Sequence, residues 1–199
     1  YLINPWGVLF GAGARVNVGG IVASTLDLAG ETVAERNARF MNGGALEFAS
    51  DGAGAARIEL KTGAVIRSQA GAGGMVVLLG GRVENRGTLD APGGTVALGV
   101  GDRITLDPVG DGLTTLRIDE DSFAESVGIL NDACAQITAD GGRVLLLARS
   151  AYGTFSDALI SQQGLIRARR LASSGGEIVL QASGDGQLDE FAGIELGAG

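Results

Sequence analysis

Gly93-Gly94-Thr95-Val96-Ala97-Leu98 decides the fold, because the chain repeats it. Gly73-Gly74-Met75-Val76-Val77-Leu78 stands 20 residues upstream, and Gly141-Gly142-Arg143-Val144-Leu145-Leu146 and Gly175-Gly176-Glu177-Ile178-Val179-Leu180 follow. Each copy reads Gly-Gly-x-(Val/Ile)-x-Leu. Alternation with period two, bounded by glycine, is the pattern of a strand. Val76 and Leu78 then point inward and Val77 outward. The glycine pairs supply turn conformations with positive φ.

Working outward, a second unit precedes the glycines. Thr88-Leu89-Asp90-Ala91 is echoed by Gln136-Ile137-Thr138-Ala139 and by Leu165-Ile166-Arg167-Ala168. Further upstream, Val83-Glu84-Asn85-Arg86-Gly87 matches Ile160-Ser161-Gln162-Gln163-Gly164 in outline. A strand–turn–strand unit of about 20 residues, stacked on its own copies, is one coil of a parallel β-helix. One coil cannot bury its Val, Ile and Leu alone; its neighbours complete the core. The expected fold is all-β: a right-handed parallel β-helix, as crossover handedness requires. Seven to nine coils at about 4.8 Å give a rod of about 35–45 Å.

Three stretches break the period. Gly30 to Met41 is polar and helix-friendly, and reads as one or two helical turns or an excursion off the rod. Asp107 to Ser126 is acidic and reads as irregular, with a hairpin around Gly110-Asp111-Gly112. Arg149 to Asp157 lengthens one coil. Residues 1–199 form one β-helix domain. The opening Tyr1-Leu2-Ile3 reads as mid-strand, and nothing at Leu196-Gly197-Ala198-Gly199 reads as a cap. The expectation is a fragment that lacks its N-terminal cap and continues C-terminally.

Composition narrows function. The formal charge of −8 opposes nucleic acid and anionic membrane surfaces, which need a cationic face. No run of about 18 apolar residues offers a membrane span. The chain has no histidine, the commonest general base and metal ligand. It has one cysteine, Cys134, so no internal disulfide forms. Cys134 reads as a small buried residue. Asn17, Asn42, Asn85 and Asn131 read as structural residues near coil corners. Gly11-Ala12-Gly13-Ala14-Arg15-Val16 lacks the third small residue and the helix of a dinucleotide site, and reads as a turn between coils. Asp107, Asp111, Asp119, Glu120 and Asp121 match no calcium loop. They read as a solvated acidic loop, with Arg103 and Arg117 pairing on the surface. The alternative is a β-helix polysaccharide lyase or glycosidase using Asp119 and Asp121, which would need carboxylates and a base on one coil face. Lys61 is the only lysine, and no such face is evident. No catalytic, cofactor-binding or metal residue is assigned.

The opening is the most specific signal. Ile3-Asn4-Pro5-Trp6-Gly7-Val8-Leu9-Phe10-Gly11, followed by Ala14-Arg15-Val16-Asn17-Val18-Gly19-Gly20-Ile21-Val22-Ala23-Ser24-Thr25-Leu26-Asp27-Leu28, resembles the secretion domain of filamentous-haemagglutinin-like exoproteins, the secreted partners of two-partner secretion systems. The resemblance implies a right-handed β-helix that passes through the periplasm. There it would be engaged by the periplasmic modules of a dedicated outer-membrane β-barrel transporter, with export coupled to folding. It also implies a secreted or cell-surface destination. The downstream chain would be an adhesin, cytolysin or toxin of virulence, holding any host-cell or polysaccharide ligand. The family motif carries over to Asn4, Pro5, Trp6 and Gly7. Trp6 stands where the family has a second asparagine, and its expected place is packed on a coil face.

Overall fold

The structure, a computed structural model, describes residues 1–30, 32–42, 44–50, 56–69, 74–107, 114–120, 128–150, 159–169, 176–184 and 194–196. Its strands stack into three parallel walls that the chain visits in rotation. The first wall holds Leu2–Ile3, Gly20–Ser24, Met75–Gly80, Thr95–Val100, Arg143–Ser150 and Glu177–Gly184. The second holds Val8–Phe10, Arg57–Leu60, Arg82–Asn85, Gly128–Asn131, Ile160–Gln162 and Ile194–Leu196. The third holds Arg15–Val18, Val65–Ser68, Thr88–Asp90, Gln136–Thr138 and Leu165–Arg167. This is the parallel β-helix that the repeats predict.

The registers match the quoted copies. Val96 pairs with Val76 below and Val144 above, and Val144 pairs with Ile178. Leu89 pairs with Ile137, and Ile137 with Ile166. These inward residues form one continuous core from Val8 and Phe10 to Leu159 and Ile160. Burying each such side chain contributes about 1.5–3 kcal/mol, and only the stack makes that burial possible.

The glycine pairs divide two tasks. The first glycine takes the left-handed region, with φ of 70° at Gly93 and 80° at Gly141. The second sits where coils touch. A Cβ on Gly94 would lie 2.0 Å from the carbonyl O of Gly74, and one on Gly142 would lie 1.9 Å from that of Gly94.

Six rungs form each of the first two walls and five the third among the described residues, fewer than the seven to nine expected. Two excursions, residues 25–56 and 101–127, take up the difference. Both leave the first wall and return to the second. The first contains helix α1, Val33–Asn42, which is longer than the one or two turns expected. A capping box opens it: the Thr32 hydroxyl accepts from the Glu35 amide at 3.2 Å, and the Glu35 carboxylate accepts from the Thr32 amide at 3.0 Å. Arg36 pairs with Asp27 and fastens the helix to the strand before it.

The excursions build a second layer that the repeats do not announce. Asp27–Leu28, Leu46–Ala49, Arg103–Asp107 and Thr115–Glu120 pair antiparallel as one outer sheet. Residues 103–107 and 115–120 thus pair antiparallel, and 115–120 is regular strand rather than irregular loop; residues 108–113, where the hairpin around Gly110-Asp111-Gly112 is expected, lie outside the described residues. Phe48, Ile104, Leu106 and Leu116 press on Val22, Val77, Leu79, Ala97 and Leu145 of the first wall. Val77 therefore points outward yet is fully buried. The stretch of Arg149 to Asp157 lies mostly outside the described residues, as does the run after Leu196.

Candidate recognition site

Asn4, Pro5, Trp6 and Gly7 form the turn between the first strands of the first and second walls. The Gly7 amide donates to the Asn4 carbonyl at 3.1 Å and closes the turn. Pro5 presets φ at its second position. The Asn4 carboxamide oxygen accepts from the Trp6 amide at 3.2 Å, and the Asn4 amide donates to the Ser24 carbonyl at 2.9 Å in the coil above. Gly7 has a φ of 119°, and a Cβ there would stand 3.2 Å from the Arg57 carbonyl. The turn is thus fixed to the second coil by its backbone. It brings the four motif residues together but leaves Trp6 89 % exposed, not packed on a coil face. An indole cannot supply the side-chain acceptor of an asparagine, so nothing local draws it in. Leu9 is also exposed.

Above Leu9 on the outer side of the second wall lie Glu59 and Glu84, in register with it. Both carboxylates are nearly buried under cations. Lys61 is 2.6 Å from Glu59, Arg82 is 2.7 Å from Glu84, and Arg57 is 3.8 Å from Glu59. Arg86 reaches Glu59 at 2.8 Å, Glu84 at 2.7 Å and Asp132 at 3.8 Å. One guanidinium therefore ties three successive coils. Sequence reading missed this network; the spacing Arg57-x-Glu59-x-Lys61 and Arg82-x-Glu84-x-Arg86 carried the signal, since residues two apart share a strand face.

Burial alone would raise the Glu84 carboxyl, but the hydrogen bonds and charges of Arg82 and Arg86 outweigh it and hold it below the ordinary 4.5. A lowered folded value means that this stability is complete above the ordinary value and is lost as pH falls through the folded one. The domain is expected to lose urea resistance below about pH 4.5, and Arg86→Gln should flatten that loss. Urea midpoints at pH 6 and pH 3 check this; an identical drop in the variant would refute the assignment to this clamp.

At the inner side of the same corner, buried amides stack. Asn85 donates to Asn131 at 2.8 Å, Asn131 donates to Gln162 at 2.9 Å, and Gln162 donates to the Gly164 carbonyl at 2.6 Å. Asn85 and Asn131 are structural corner residues, as expected, through bonds between coils as well as local ones. Asn17 lies one residue before the end of its strand, near the Gly19 corner as expected, whereas Asn42 ends helix α1 and is not at a coil corner.

The remaining candidates resolve locally. Asp119 accepts from the Thr105 hydroxyl and pairs with Arg117 at 2.6 Å, while Arg103 pairs with Glu47 of the outer sheet. Glu120 pairs by backbone with Arg103. Asp111 and Asp121 lie outside the described residues. No group of three or more metal-ligating residues occurs among the described residues. Gly11 to Ala14 is a turn, but between walls within one coil rather than between coils; the Ala14 amide closes it on the Gly11 carbonyl at 3.0 Å. Cys134 is exposed, not buried. It occupies the outer corner of the Asp132–Ala135 turn, where the Asp132 carboxylate accepts from its amide at 3.2 Å.

The chain is a parallel β-helix with an outer sheet and a hydrogen-bonded Asn-Pro turn on its first coil, and the comparisons give its family. The family model described as TPS secretion domain matches residues 1–183, so the chain belongs to the secretion domains of two-partner secretion exoproteins. The crystal structure of the HMW1 secretion domain from Haemophilus influenzae is similar at a TM-score of 0.53 and 26 % identity, over 83 % of this chain and 44 % of that one. This chain therefore spans under half the length of that solved chain. No curated protein matches. The family is one of exported proteins with an outer-membrane transporter partner, and it is not an enzyme family. No helix among the described residues is long and apolar enough to cross a membrane.

Proposed function

We propose that this domain is the address and folding scaffold of an exported surface adhesin. A dedicated outer-membrane transporter recognises it in the periplasm, and the β-helix then grows from it outside the cell. The observation that carries this reading is the Asn4–Gly7 turn: its backbone is tied to the second coil while Trp6 faces solvent. A fixed backbone that presents an exposed indole is suited to recognition, because little side-chain freedom is lost on binding. The scaffold role is supported by coils that each complete the core of the one before.

Asn4→Ala removes the acceptor of the Trp6 amide, and Pro5→Ala removes the preset φ. Each is expected to cost about 0.5–1.5 kcal/mol in stability, too little to unfold the domain. Each should lower the amount of exported protein while circular dichroism of the purified domain stays unchanged. Normal export of both variants would refute the motif assignment.

A further inference from the structure

On a protein whose net charge is −8, the outer side of the second wall carries four bases, Arg57, Lys61, Arg82 and Arg86, against Glu59 and Glu84 in its second and third coils. In these two coils the acids are hidden and the bases are not: the side chains of Glu59 and Glu84 are 9 % and 7 % exposed, whereas those of Arg57 and Lys61 are 59 % and 46 % exposed; the next acid, Asp132, stands one coil higher and faces Arg86. The buried carboxylates also hold the cations in place, at 2.6 Å for Lys61 and 2.7 Å for Arg82. Next to this row, one coil below, stand Leu9, in register with Glu59, and Trp6, one residue before Gly7, where an added Cβ would lie 3.2 Å from the Arg57 carbonyl. Leu9 is exposed on the strand face that carries Arg57, Lys61 and Arg82, and the exposed Trp6 stands in the turn that leads into its strand. The outer sheet packs on the first wall, and Trp6, Leu9, Arg57 and Lys61 of this surface are exposed.

We propose that this face docks a compact acidic protein surface with an apolar pocket, carried by the periplasmic module of the transporter. The proposal rests on the recognition reading above and extends it from the Asn4–Gly7 turn to a defined charged face. Trp6 enters the pocket and the cations meet carboxylates around it. Aromatic anchors ringed by charge are the usual energetic pattern of such interfaces. A compact partner is favoured over an anionic bilayer by range. Charge is screened within about 8 Å in physiological salt, so a partner whose contact patch is centred on these coils meets mainly their cations, whereas an extended anionic plane also faces Asp132 and the acids beyond it.

The test is calorimetric binding of the purified domain to the soluble periplasmic part of its transporter, at low and at physiological salt. The Arg57→Glu/Lys61→Glu pair is expected to weaken binding about tenfold or more at low salt, and Trp6→Ala about thirtyfold at either salt. Arg86 remains in the pair variant to neutralise both glutamates, and a thermal melt checks the fold. Arg117→Glu, on the outer sheet, should change nothing. As a measurement without mutation, reductive methylation of Lys61, the only lysine, should slow in the complex. Unchanged binding by the pair variant with an unprotected Lys61 overturns this face and leaves the recognition reading in place. Equal loss in Arg117→Glu also overturns it, as does binding to vesicles of anionic phospholipid but not to the module. Absence of any binding by the wild-type domain refutes both.

Discussion

Gly142→Ala is expected to lower the thermal midpoint by about 6–12 °C. Its Cβ would meet the Gly94 carbonyl oxygen at 1.9 Å, and that oxygen belongs to the backbone of the coil below. The Arg143 amide donates to the same oxygen at 2.9 Å, so the carbonyl cannot turn away without breaking the ladder. Relief requires the coils to separate locally. Overpacking of this kind costs about 3 kcal/mol or more, and each kcal/mol moves the midpoint by about 2–4 °C in a domain of this size. Gly94→Ala meets Gly74 in the same way, at 2.0 Å. Gly19→Ala is the control, since a Cβ there meets nothing within 4 Å. Melts of the three variants check the account. Equal midpoints for Gly142→Ala and Gly19→Ala would show that coil contact is not why the second glycine recurs.

The second large effect is expected at Asn131→Leu. Leucine fits the volume but not the chemistry. The substitution strands the Asn85 donor below and the Gln162 acceptor above, both inside the corner. Two unpaired buried groups cost about 2–6 kcal/mol together, read from urea unfolding. Replacing all three of Asn85, Asn131 and Gln162 by leucine should recover part of that loss. The position is already Leu60 in the coil below Asn85, so an apolar stack can continue there. It does not recover all, because Asn85 also accepts from the Gly87 amide at 3.0 Å and Gln162 donates to Gly164. If the triple variant is the least stable of the set, the single cost does not come from stranded amides, and the ladder account is wrong.

These two effects mark where sequence reasoning reaches and where it stops. The coil repeat was legible because each rung needs the same few things: an inward Val or Ile, a Leu two residues on, and a glycine at the corner. Thr88–Asp90 and Gln136–Thr138 could be aligned by eye, and they pair in the structure. The outer sheet was not legible, because its strands come from two excursions far apart in sequence, 25–56 and 101–127. A trace was present nonetheless. Met75-Val76-Val77-Leu78-Leu79 is apolar without a break, the mark of a strand buried on both faces. Fewer coils follow from the same cause, since residues spent on the second layer are not spent on rungs. The Asn4–Gly7 motif was found by family likeness; its neighbours Arg57 and Lys61 lie some 50 residues on, brought there only by the stacking of the second coil on the first. Cys134 was misread because its type is often buried, whereas its place at a turn corner decides otherwise.

The central claim is that this domain is an export address read by a transporter. The most direct measurement is release of the full-length natural chain into the medium, with and without its outer-membrane transporter. The account predicts release only when the transporter is present, with periplasmic retention or degradation when it is absent. Equal release in both strains would contradict it, as would stable periplasmic protein that the transporter fails to export.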